Sequence, residues 1–290
     1  MALITVFTPT YNRRTTLEKL YESLINQTFK DFEWLIVDDG STDNTEELIN
    51  NWIKDREIPI SFCKQKNGGK HRTINKGLDI AKGVLFFIVD SDDWLSENAI
   101  ERILFHYNEI KDINTFCGVC GLKVYGDGTD VGNNKNFGVL DCNAIDFRYK
   151  YKIKGDMAEV FKTDVLRQYK FPETENEKFC PEALVWNRIA KKYKLRYFYE
   201  KIYFCEYLPD GLTAKITKLR KENPRNSCMY YAELKKANIP FPQKIKAAIN
   251  YWRFAFYLDL PIKSKLKQIG YSSLFVIPLS YLFFLRDKKA

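Results

Sequence analysis

The chain has 290 residues, of which 45% are hydrophobic and 15% aromatic, and its formal charge is +9. This composition excludes a disordered chain and is sufficient for one large domain with appendages or for two domains. The charge is uneven, because residues 214–290 contain 16 Lys and Arg against four Asp and Glu, a net +12, and residues 1–213 are at −3. This asymmetry predicts a C-terminal segment that faces an anionic partner, either nucleic acid or a lipid surface.

The seven cysteines follow no regular spacing, which predicts reduced and mostly buried thiols. Cys117 and Cys120 form one C-x-x-C pair, but no second pair accompanies them and the sequence has two histidines, so a zinc site is not expected. The N-terminus lacks the basic start and long apolar run of a secretory signal, so we expect the catalytic part to remain cytosolic.

The first part of the chain alternates between short apolar runs and segments with helical spacing. The runs at 3–8, 33–39, 60–65 and 84–90 precede helical patterns at 14–26, 43–53, 70–82 and 96–111, respectively. The runs are rich in Val, Ile and Phe on both faces, as in strands covered from two sides. The pattern predicts an α/β fold with a mostly parallel central sheet and helices on both faces.

Polar clusters follow each predicted strand: "TPTYNR", "DDGSTD", "KNGGKHR" and "DSDD". Ligands of open parallel sheets bind beyond the carboxyl ends of the strands, so these four loops are expected to line one rim. A simpler interpretation is that their polar residues cap the following helices. It applies to Thr10, Asn12, Ser41, Thr42 and Asp43.

The stretch "NGGKHRT" is similar to half of a P-loop, but its first glycine is misplaced and His71 stands where Ser or Thr should follow Lys70. We therefore reject a P-loop. The glycines are expected to allow a tight turn that leaves Lys70 and Arg72 near the rim to meet phosphate charge.

Three carboxylates, Asp90, Asp92 and Asp93, end the fourth predicted strand and must repel one another unless positive charge lies close by. Capping the next helix would need only one of them. Carboxylates at a strand end are suitable oxygen ligands for a hard divalent cation, which would also neutralise a bound diphosphate.

The motifs "VFTPTYNR", "WLIVDDGSTDNT", "NGGKHRTINKGLDIAKG" and "FFIVDSDDWL", in this order, closely resemble the family 2 glycosyltransferases with the GT-A fold, of the bacterial cell-surface polysaccharide type. The match is dense over residues 3–100. The resemblance implies a nucleotide-binding sheet, inverting transfer from a nucleotide sugar, and Mn²⁺ or Mg²⁺ on the donor diphosphate.

Carried over to this chain, the resemblance implies that Asp39 hydrogen-bonds the uracil and that Asp90 approaches the ribose or the donor sugar. The base pocket would be lined by Thr8, Pro9 and Tyr11.

The resemblance also implies that Asp92 faces the metal. The sequence departs from the frequent "ARNxG" pattern at residues 73–75, and Arg72 sits earlier. Whether Lys70 or Arg72 contacts the diphosphate is left open.

Inverting transfer needs a general base for the acceptor hydroxyl. The family takes this base from an "ED" motif that opens a helix, and the segment "KFCPEALVWNRIAKKY" matches it, with Glu182 where Asp is usual. A first-turn Glu can also simply interact with the helix dipole. Asp156 and Glu159 are the competing candidates for the base. The resemblance further suggests that a mobile loop, "YLPDGLT", closes over the donor diphosphate.

We expect a GT-A domain at 1–213, with a nucleotide-sugar half at 1–100 and an acceptor half at 101–213, followed by a basic, membrane-associating helical region at 214–290. The uncharged run Ile269–Leu285 has 17 residues, the lower edge of the range of about 17–25 for a spanning helix. A monotopic or shallowly inserted helix is favoured over a span. Its inserting side chains would be Phe275, Leu282, Phe283 and Phe284. Nucleic acid is disfavoured because no binding motif accompanies the charge.

The sequence thus predicts an inverting glycosyltransferase that moves a sugar, from a UDP-linked donor, to a lipid-linked or growing glycan at the cytosolic membrane face. A nucleotidyltransferase shares this sheet type, but "TPTYNRRT" lacks the expected glycine-rich loop. A noncatalytic membrane-binding protein on the same fold would be expected to lose the acidic rim residues, which are intact.

Overall fold

The computed structural model describes residues 3–132, 134–206 and 215–289. The loop "YLPDGLT", residues 207–213, lies outside the described residues. The chain divides by packing into two compact units, which we call the N-terminal and C-terminal units. The N-terminal unit is Met1–Lys170 with Ile189–Tyr207, and the C-terminal unit is Phe171–Arg188 with Leu208–Ala290.

Strands and helices alternate at the start of the N-terminal unit, as the sequence predicts. In chain order they are β1 (Ile4–Thr10), α1 (Arg14–Ile25), β2 (Phe32–Asp38), α2 (Thr45–Asp55), β3 (Ile60–Lys64), α3 (Lys70–Ile80), β4 (Leu85–Ile88), β5 (Trp94–Leu95) and α4 (Ala99–Asn108). Every residue of β1 and β2 is buried, so both faces of these strands are covered.

The described chain continues with four further strands and three helices. They are β6 (Phe116–Tyr125), β7 (Val139–Cys142), α5 (Ala144–Tyr149), β8 (Met157–Lys162), α6 (Thr163–Arg167), α7 (Glu182–Ile189) and β9 (Lys194–Cys205). Within the described residues, nine strands form one sheet in the order β3-β2-β1-β4-β8-β6-β9-β5, and β7 also pairs with β9. Strands β1 to β4 are mutually parallel. The α/β fold class is confirmed.

Three of the described strands, β5, β7 and β8, run opposite to the other strands of the sheet. Strand β8 is antiparallel to both β4 and β6, and β9 is parallel to β6. Strands β6 and β9 therefore run in the same direction as β1 to β4. Their carboxyl ends share one edge of the sheet with the amino end of β8.

Large aromatic side chains fill the core of the N-terminal unit. The rings of Tyr21 and Trp52 stack with centroids 4.4 Å apart, and Trp52 lies 5.7 Å from Trp34. Gly77 lets α3 approach the sheet, because a Cβ there would lie 2.2 Å from the ring of Phe7. These contacts pack the helices α1, α2 and α3 against the strands whose carboxyl ends carry the loops.

The C-terminal unit is helical in its described residues after 215, which confirms the predicted C-terminal helical region. Its elements are α8 (Ile216–Glu222), α9 (Pro224–Lys236), α10 (Phe241–Ala255), α11 (Ile262–Ile269), the 3₁₀ helix η1 (Tyr271–Val276) and α12 (Ile277–Lys289). Helices α9 and α12 both pack on α10.

Residues 171–188 group with this unit, although the sequence analysis placed them in the acceptor half. The buried carboxylate of Glu177 accepts the backbone N–H groups of Arg225 at 2.6 Å and Asn226 at 2.8 Å, in the first turn of α9. Asn223 accepts the N–H groups of Lys178 and Phe179 in return. These bonds satisfy the amide groups that a helix start leaves open, and they fix the segment to α9.

Among the described residues, no single helix has the length and apolarity needed to cross a membrane. One pair, Ile262–Ile269 with Tyr271–Lys288, meets the length and composition requirement together, and its two parts are bent by 107°. The bend falls at Gly270, whose φ of +92° lies in a region that glycine adopts readily.

Candidate active site

The candidate residues gather at the carboxyl edge of the sheet, which we call the rim. Asp39 follows β2, Lys70 opens α3 after β3, and Asp90 and Asp92 follow β4. Asp156 precedes β8, and because β8 runs opposite to β4, it lies at this same edge. The topology thus brings together residues that the sequence separates by more than a hundred positions.

Asp39 organises the loop that precedes α3. Its Oδ1 accepts hydrogen bonds from Gln65 Nε2 at 2.7 Å and from the Gly68 N–H at 2.8 Å, and its Oδ2 accepts from the Gly69 N–H at 2.7 Å. Gly69 has a φ of +94°, which permits this turn. A carboxylate oxygen has two acceptor positions, so Oδ2 retains one for a ligand.

The three residues predicted to line the base pocket differ in exposure. Thr8 is fully buried, and its Oγ1 accepts a hydrogen bond from Trp34 Nε1 at 2.9 Å. Pro9 is also buried, whereas the Tyr11 side chain is 47% exposed. Tyr11 alone of the three presents an exposed side chain at the rim. The Thr8 hydroxyl is committed to the core, because β1 is covered on both faces.

The polar residues of the rim tie the loops together, and one of them, Asp43, also binds the amide groups that start α1 and α2. The Asn12 N–H donates to Ser41 Oγ, and the Thr42 N–H donates to Asn12 Oδ1, each at 2.8 Å. Asp43 accepts the N–H of Arg14, at the start of α1. Neither helix has a side-chain hydrogen bond from its N-cap residue. The Asp43 carboxylate nevertheless accepts the N–H of the first residue of each helix, so the capping interpretation holds for Asp43.

Each of the three carboxylates after β4 has its own cation. Lys70 Nζ lies 2.5 Å from Asp90 Oδ1 and Arg13 lies 3.8 Å from Asp92 Oδ2. Lys123 Nζ, from β6, lies 2.8 Å from Asp93 Oδ2. The mutual repulsion expected from the sequence is thus offset by three separate ion pairs.

A buried tyrosine joins two of these groups. The Tyr203 hydroxyl donates to Asp93 Oδ2 at 2.8 Å and accepts the backbone N–H of Asp90 at 2.9 Å. Lys123 Nζ lies 4.4 Å from the centre of the Tyr203 ring. Asp93 is therefore engaged inside the protein, and it fixes the backbone that carries Asp90 and Asp92.

The three carboxyl groups have different proton affinities. Burial would raise the pKa of Asp90, but the charges of Lys70 and Lys123 outweigh burial and lower it. Burial and the nearby charge of Asp90 raise the pKa of Asp92, against the opposing charge of Arg13. Burial raises the pKa of Asp93 to about 6, although Lys123 acts in the other direction.

In the part of the chain that the structure describes, no three His, Cys, Asp or Glu side chains are assembled to hold a metal. The carboxylate triplet is therefore not a preformed three-ligand site, since Asp93 points its charge at Lys123. Asp92 pairs only loosely with Arg13, and its side chain is 23% exposed. A partly exposed carboxylate such as that of Asp92 suits a cation whose other ligands come from substrate phosphates and water.

The competing general-base candidates lie in different places. Asp156 is exposed at the rim, and its charge, with that of Asp92, adds to the burial that raises the pKa of the Cys205 thiol to about 11. Glu159 lies within β8. Glu182 is the first residue of α7 and belongs to the C-terminal unit. Arg72 lies in the first turn of α3, two residues after Lys70, and is partly buried.

Three contacts escaped the sequence analysis: those of Arg13, Lys123 and Tyr203. Arg13 lies within the quoted motif "VFTPTYNR", shortly after β1. Its position could therefore have been used to predict a cation at the rim. Lys123 and Tyr203 lie in strands that reach the rim only through the sheet order, and no local pattern marks them.

We expect Lys123→Met to lower the free energy of unfolding by about 3–5 kcal/mol, because it leaves Asp93 buried without its cation. Urea denaturation measures the loss, with Lys54→Met on the exposed side of α2 as the matched control. The loss of stability caused by Lys123→Met should become smaller as the pH falls, because a protonated Asp93 carries no charge that needs a cation. With its pKa raised from 3.8 to about 6, Asp93 contributes stability that is full below pH 3.8 and lost as the pH rises through about 6. Equal, pH-independent losses in both variants would contradict this role for Lys123.

The comparison with known families decides the identity of the fold. The family described as "Glycosyl transferase family 2" matches residues 5–171, more than half of the chain. The chain belongs to glycosyl transferase family 2. The resemblance seen in the sequence motifs is confirmed.

One family 2 relative is the GalNAc(5)-diNAcBac-PP-undecaprenol beta-1,3-glucosyltransferase of Campylobacter jejuni, 31% identical over 194 residues. That match covers 66% of this chain and 61% of the relative, so the chain spans less than two thirds of the relative's length.

Two solved structures share the fold of this family 2 chain. S. aureus TarS 1–349 in complex with UDP-GlcNAc has a TM-score of 0.69 and 15% identity, covering 99% of this chain and 89% of that one. The mannosyltransferase PcManGT from Pyrobaculum calidifontis, in complex with GDP-Man and Mn²⁺, has a TM-score of 0.58 and 17% identity, covering 99% and 75%. At these identities the likeness supports the GT-A fold and no more.

Proposed function

We propose that this protein is an inverting glycosyltransferase that moves a sugar from a UDP-linked donor to a hydroxyl of a lipid-linked or growing cell-surface glycan. The observation that carries the proposal is the rim of a family 2 fold, where Asp90, Asp92, Lys70 and Arg13 lie together beyond β4. Ligands of such sheets bind beyond the carboxyl ends of the strands. The Campylobacter relative is named for transfer to a lipid-linked glycan, and TarS binds UDP-GlcNAc.

The rim residues suggest how the nucleotide would bind. The remaining acceptor position on Asp39 Oδ2 suits the imide N–H of uracil, and Tyr11 offers an exposed ring to the base. Thr8 and Pro9 would support this wall from beneath, through the backbone of β1. Asp90 would then lie near the ribose or the donor sugar.

Cations beside these residues suit the diphosphate. Lys70 Nζ lies 2.5 Å from Asp90 Oδ1, so its ammonium group is at the rim. There it would also attract the phosphate oxygens of the donor. Arg72, two residues further along α3, is the other candidate for contacting the diphosphate. The two side chains would place positive charge against the phosphate oxygens.

Asp92 is proposed as the protein ligand of a divalent cation, Mn²⁺ or Mg²⁺. Its partly exposed carboxylate fits a hard cation that is also held by phosphate oxygens. PcManGT is a family-fold neighbour that contains Mn²⁺. When bound, the metal would stabilise the negative charge that develops on the departing diphosphate.

Glu182 is proposed as the general base. Its carboxylate would take the proton of the acceptor hydroxyl while the oxygen attacks the anomeric carbon. The bond from that carbon to the diphosphate oxygen breaks on the opposite side, so the configuration inverts and UDP leaves. Asp156 is the alternative base, because it is exposed at the rim.

We further propose that the enzyme works in the cytoplasm, peripheral or monotopic on the inner face of the cell membrane. Support comes from the net charge of +12 over residues 214–290 and from the lipid-linked glycan in the name of the Campylobacter relative.

Incubation with a nucleotide sugar and Mn²⁺ tests the proposed reaction. We expect slow release of UDP from a UDP-sugar even without an acceptor, since water can replace the acceptor hydroxyl. A panel of UDP- and GDP-sugars would identify the donor. No release of a nucleoside diphosphate from any member would contradict the proposal.

A further inference from the structure

The last two helical segments, η1 and α12, turn polar side chains toward the interior of the C-terminal unit. Ser273, Ser280 and Asp287 are almost completely buried. The Ser273 hydroxyl accepts from Trp252 Nε1 at 3.0 Å and donates to the Gly270 carbonyl at 2.7 Å. Each of these three buried side chains has a hydrogen-bond partner, as burial of a polar group requires.

The same inner face is closed against α10. Arg253 donates to both carboxylate oxygens of Asp287, in one case at 2.8 Å. The ring of Phe284 lies 5.3 Å from that of Phe256 and 4.9 Å from that of Tyr257, and Phe284 is 8% exposed. The prediction that Phe284 inserts into a membrane is therefore wrong, because its ring is already packed inside the unit.

The opposite face of these segments is apolar and exposed. Phe275 is 66% exposed and Leu282 63%, and their neighbours are similar in kind. We call these residues the outer face: Tyr271, Leu274, Phe275, Leu279, Tyr281, Leu282 and Leu285. A helix on the surface of a soluble domain shows the reverse arrangement, with apolar residues inside and polar residues outside. Contiguous apolar surface of this kind marks an interaction site.

Basic side chains flank the outer face in the sequence. Lys263 and Lys267 are exposed on α11, and Arg286 and Lys288 are exposed at the end of α12. Within the described ranges, no Asp or Glu lies at ion-pair distance from these four cations. The Arg286 guanidinium lies 5.1 Å from the ring centre of Phe283. An exposed apolar segment flanked in sequence by exposed cations is complementary to anionic headgroups above hydrocarbon.

We propose that the outer face docks in the plane of an anionic bilayer, with Phe275 and Leu282 entering the boundary between headgroups and acyl chains. A second copy of this chain is a poorer occupant, because a symmetric contact through the outer face would bring like charges together. The inference rests on the proposed function in one respect: it names the surface that would hold the enzyme at its membrane.

Flotation of the full chain with vesicles tests the docking proposal. We expect binding to phosphatidylglycerol vesicles, weaker binding to phosphatidylcholine vesicles, and a loss of binding as salt is added. The double variant Phe275→Gln with Leu282→Gln should partition at least about tenfold more weakly, since it replaces the two apolar side chains that would leave water on docking. The matched control is Phe241→Gln with Val139→Gln, which removes two exposed apolar side chains outside the outer face.

The outcomes separate this inference from the proposed reaction. Equal flotation of the wild type and the outer-face variant, an equal loss in the control, or no flotation of the wild type would overturn the docking proposal. A wild-type dimer that the outer-face variant makes monomeric, without vesicle binding, would assign the surface to a second copy instead. Calorimetric titration of each protein with UDP and Mn²⁺ reports the rim alone, so a failure of the proposed function appears there and not in flotation.

Discussion

Asp92→Asn is expected to abolish the Mn²⁺-dependent part of UDP binding. The substitution keeps the shape of the side chain but removes the negative charge that would lie between the metal and the protein. The fold should persist, because Asp92 makes only a loose, partly exposed ion pair with Arg13. Isothermal titration calorimetry with UDP, with and without Mn²⁺, measures the effect directly.

A matched variant, Asp112→Asn, removes an exposed carboxylate away from the rim and should bind UDP as the wild type does. If Asp92→Asn bound both Mn²⁺ and UDP with unchanged affinity, the metal assignment would have to be withdrawn. A loss of UDP binding that is the same with and without Mn²⁺ would also contradict it, since that result points to the fold rather than to the metal.

Glu182→Gln should lower the turnover number by at least about a hundredfold, the lower end for loss of a positioned general base. Glutamine has the same shape but cannot take up the proton of the acceptor hydroxyl. Donor binding should survive, because the residues proposed to bind the nucleotide lie at the rim of the N-terminal unit. The comparison therefore needs both the turnover number and the affinity for UDP with Mn²⁺.

Two variants make this result specific. Glu175→Gln changes an exposed carboxylate in the same segment and should leave turnover close to that of the wild type. Asp156→Asn tests the alternative base at the rim. Near-normal turnover in Glu182→Gln together with a large loss in Asp156→Asn would transfer the role to Asp156.

The nucleotide half of the fold could be predicted from the sequence because its signals are local. The runs 3–8, 33–39, 60–65 and 84–90 are apolar on both faces, and each became a parallel strand within a few residues of its predicted ends. The polar loops followed as a consequence, since parallel strands place their carboxyl ends at one edge. The location of the rim was therefore predictable from the sequence.

The contacts within the rim were less predictable. Lys123 and Tyr203 reach Asp93 because the sheet order places β6 next to β8 and β9 next to β6, and this order has no local signature. Thr8 was expected to line the base pocket, but its hydroxyl bonds to Trp34 in a strand that is buried on both faces. Residue type and spacing do not specify which way such a side chain turns.

For residues 214–290, too, the sequence did not specify which way the side chains turn. The helical spacing and positive charge of this region were visible, but the sequence alone treated Phe275, Leu282, Phe283 and Phe284 as one inserting set. The structure separates them, because Arg253 and Trp252 on α10 bind Asp287 and Ser273 and thereby fix which face of the segment turns inward. Long-range polar contacts decided the orientation.

The most direct test of the central claim is to identify the phosphorus-containing product when the full chain is incubated with UDP-GlcNAc and Mn²⁺. ³¹P NMR distinguishes the candidates in one spectrum, because UDP retains a diphosphate with a terminal phosphate. A glycosyltransferase cleaves the bond between the sugar and the diphosphate, so the account predicts UDP and a free or transferred sugar. Sugar 1-phosphate formed instead, with pyrophosphate added as co-substrate and UTP as the second product, would contradict it and identify a nucleotidyltransferase.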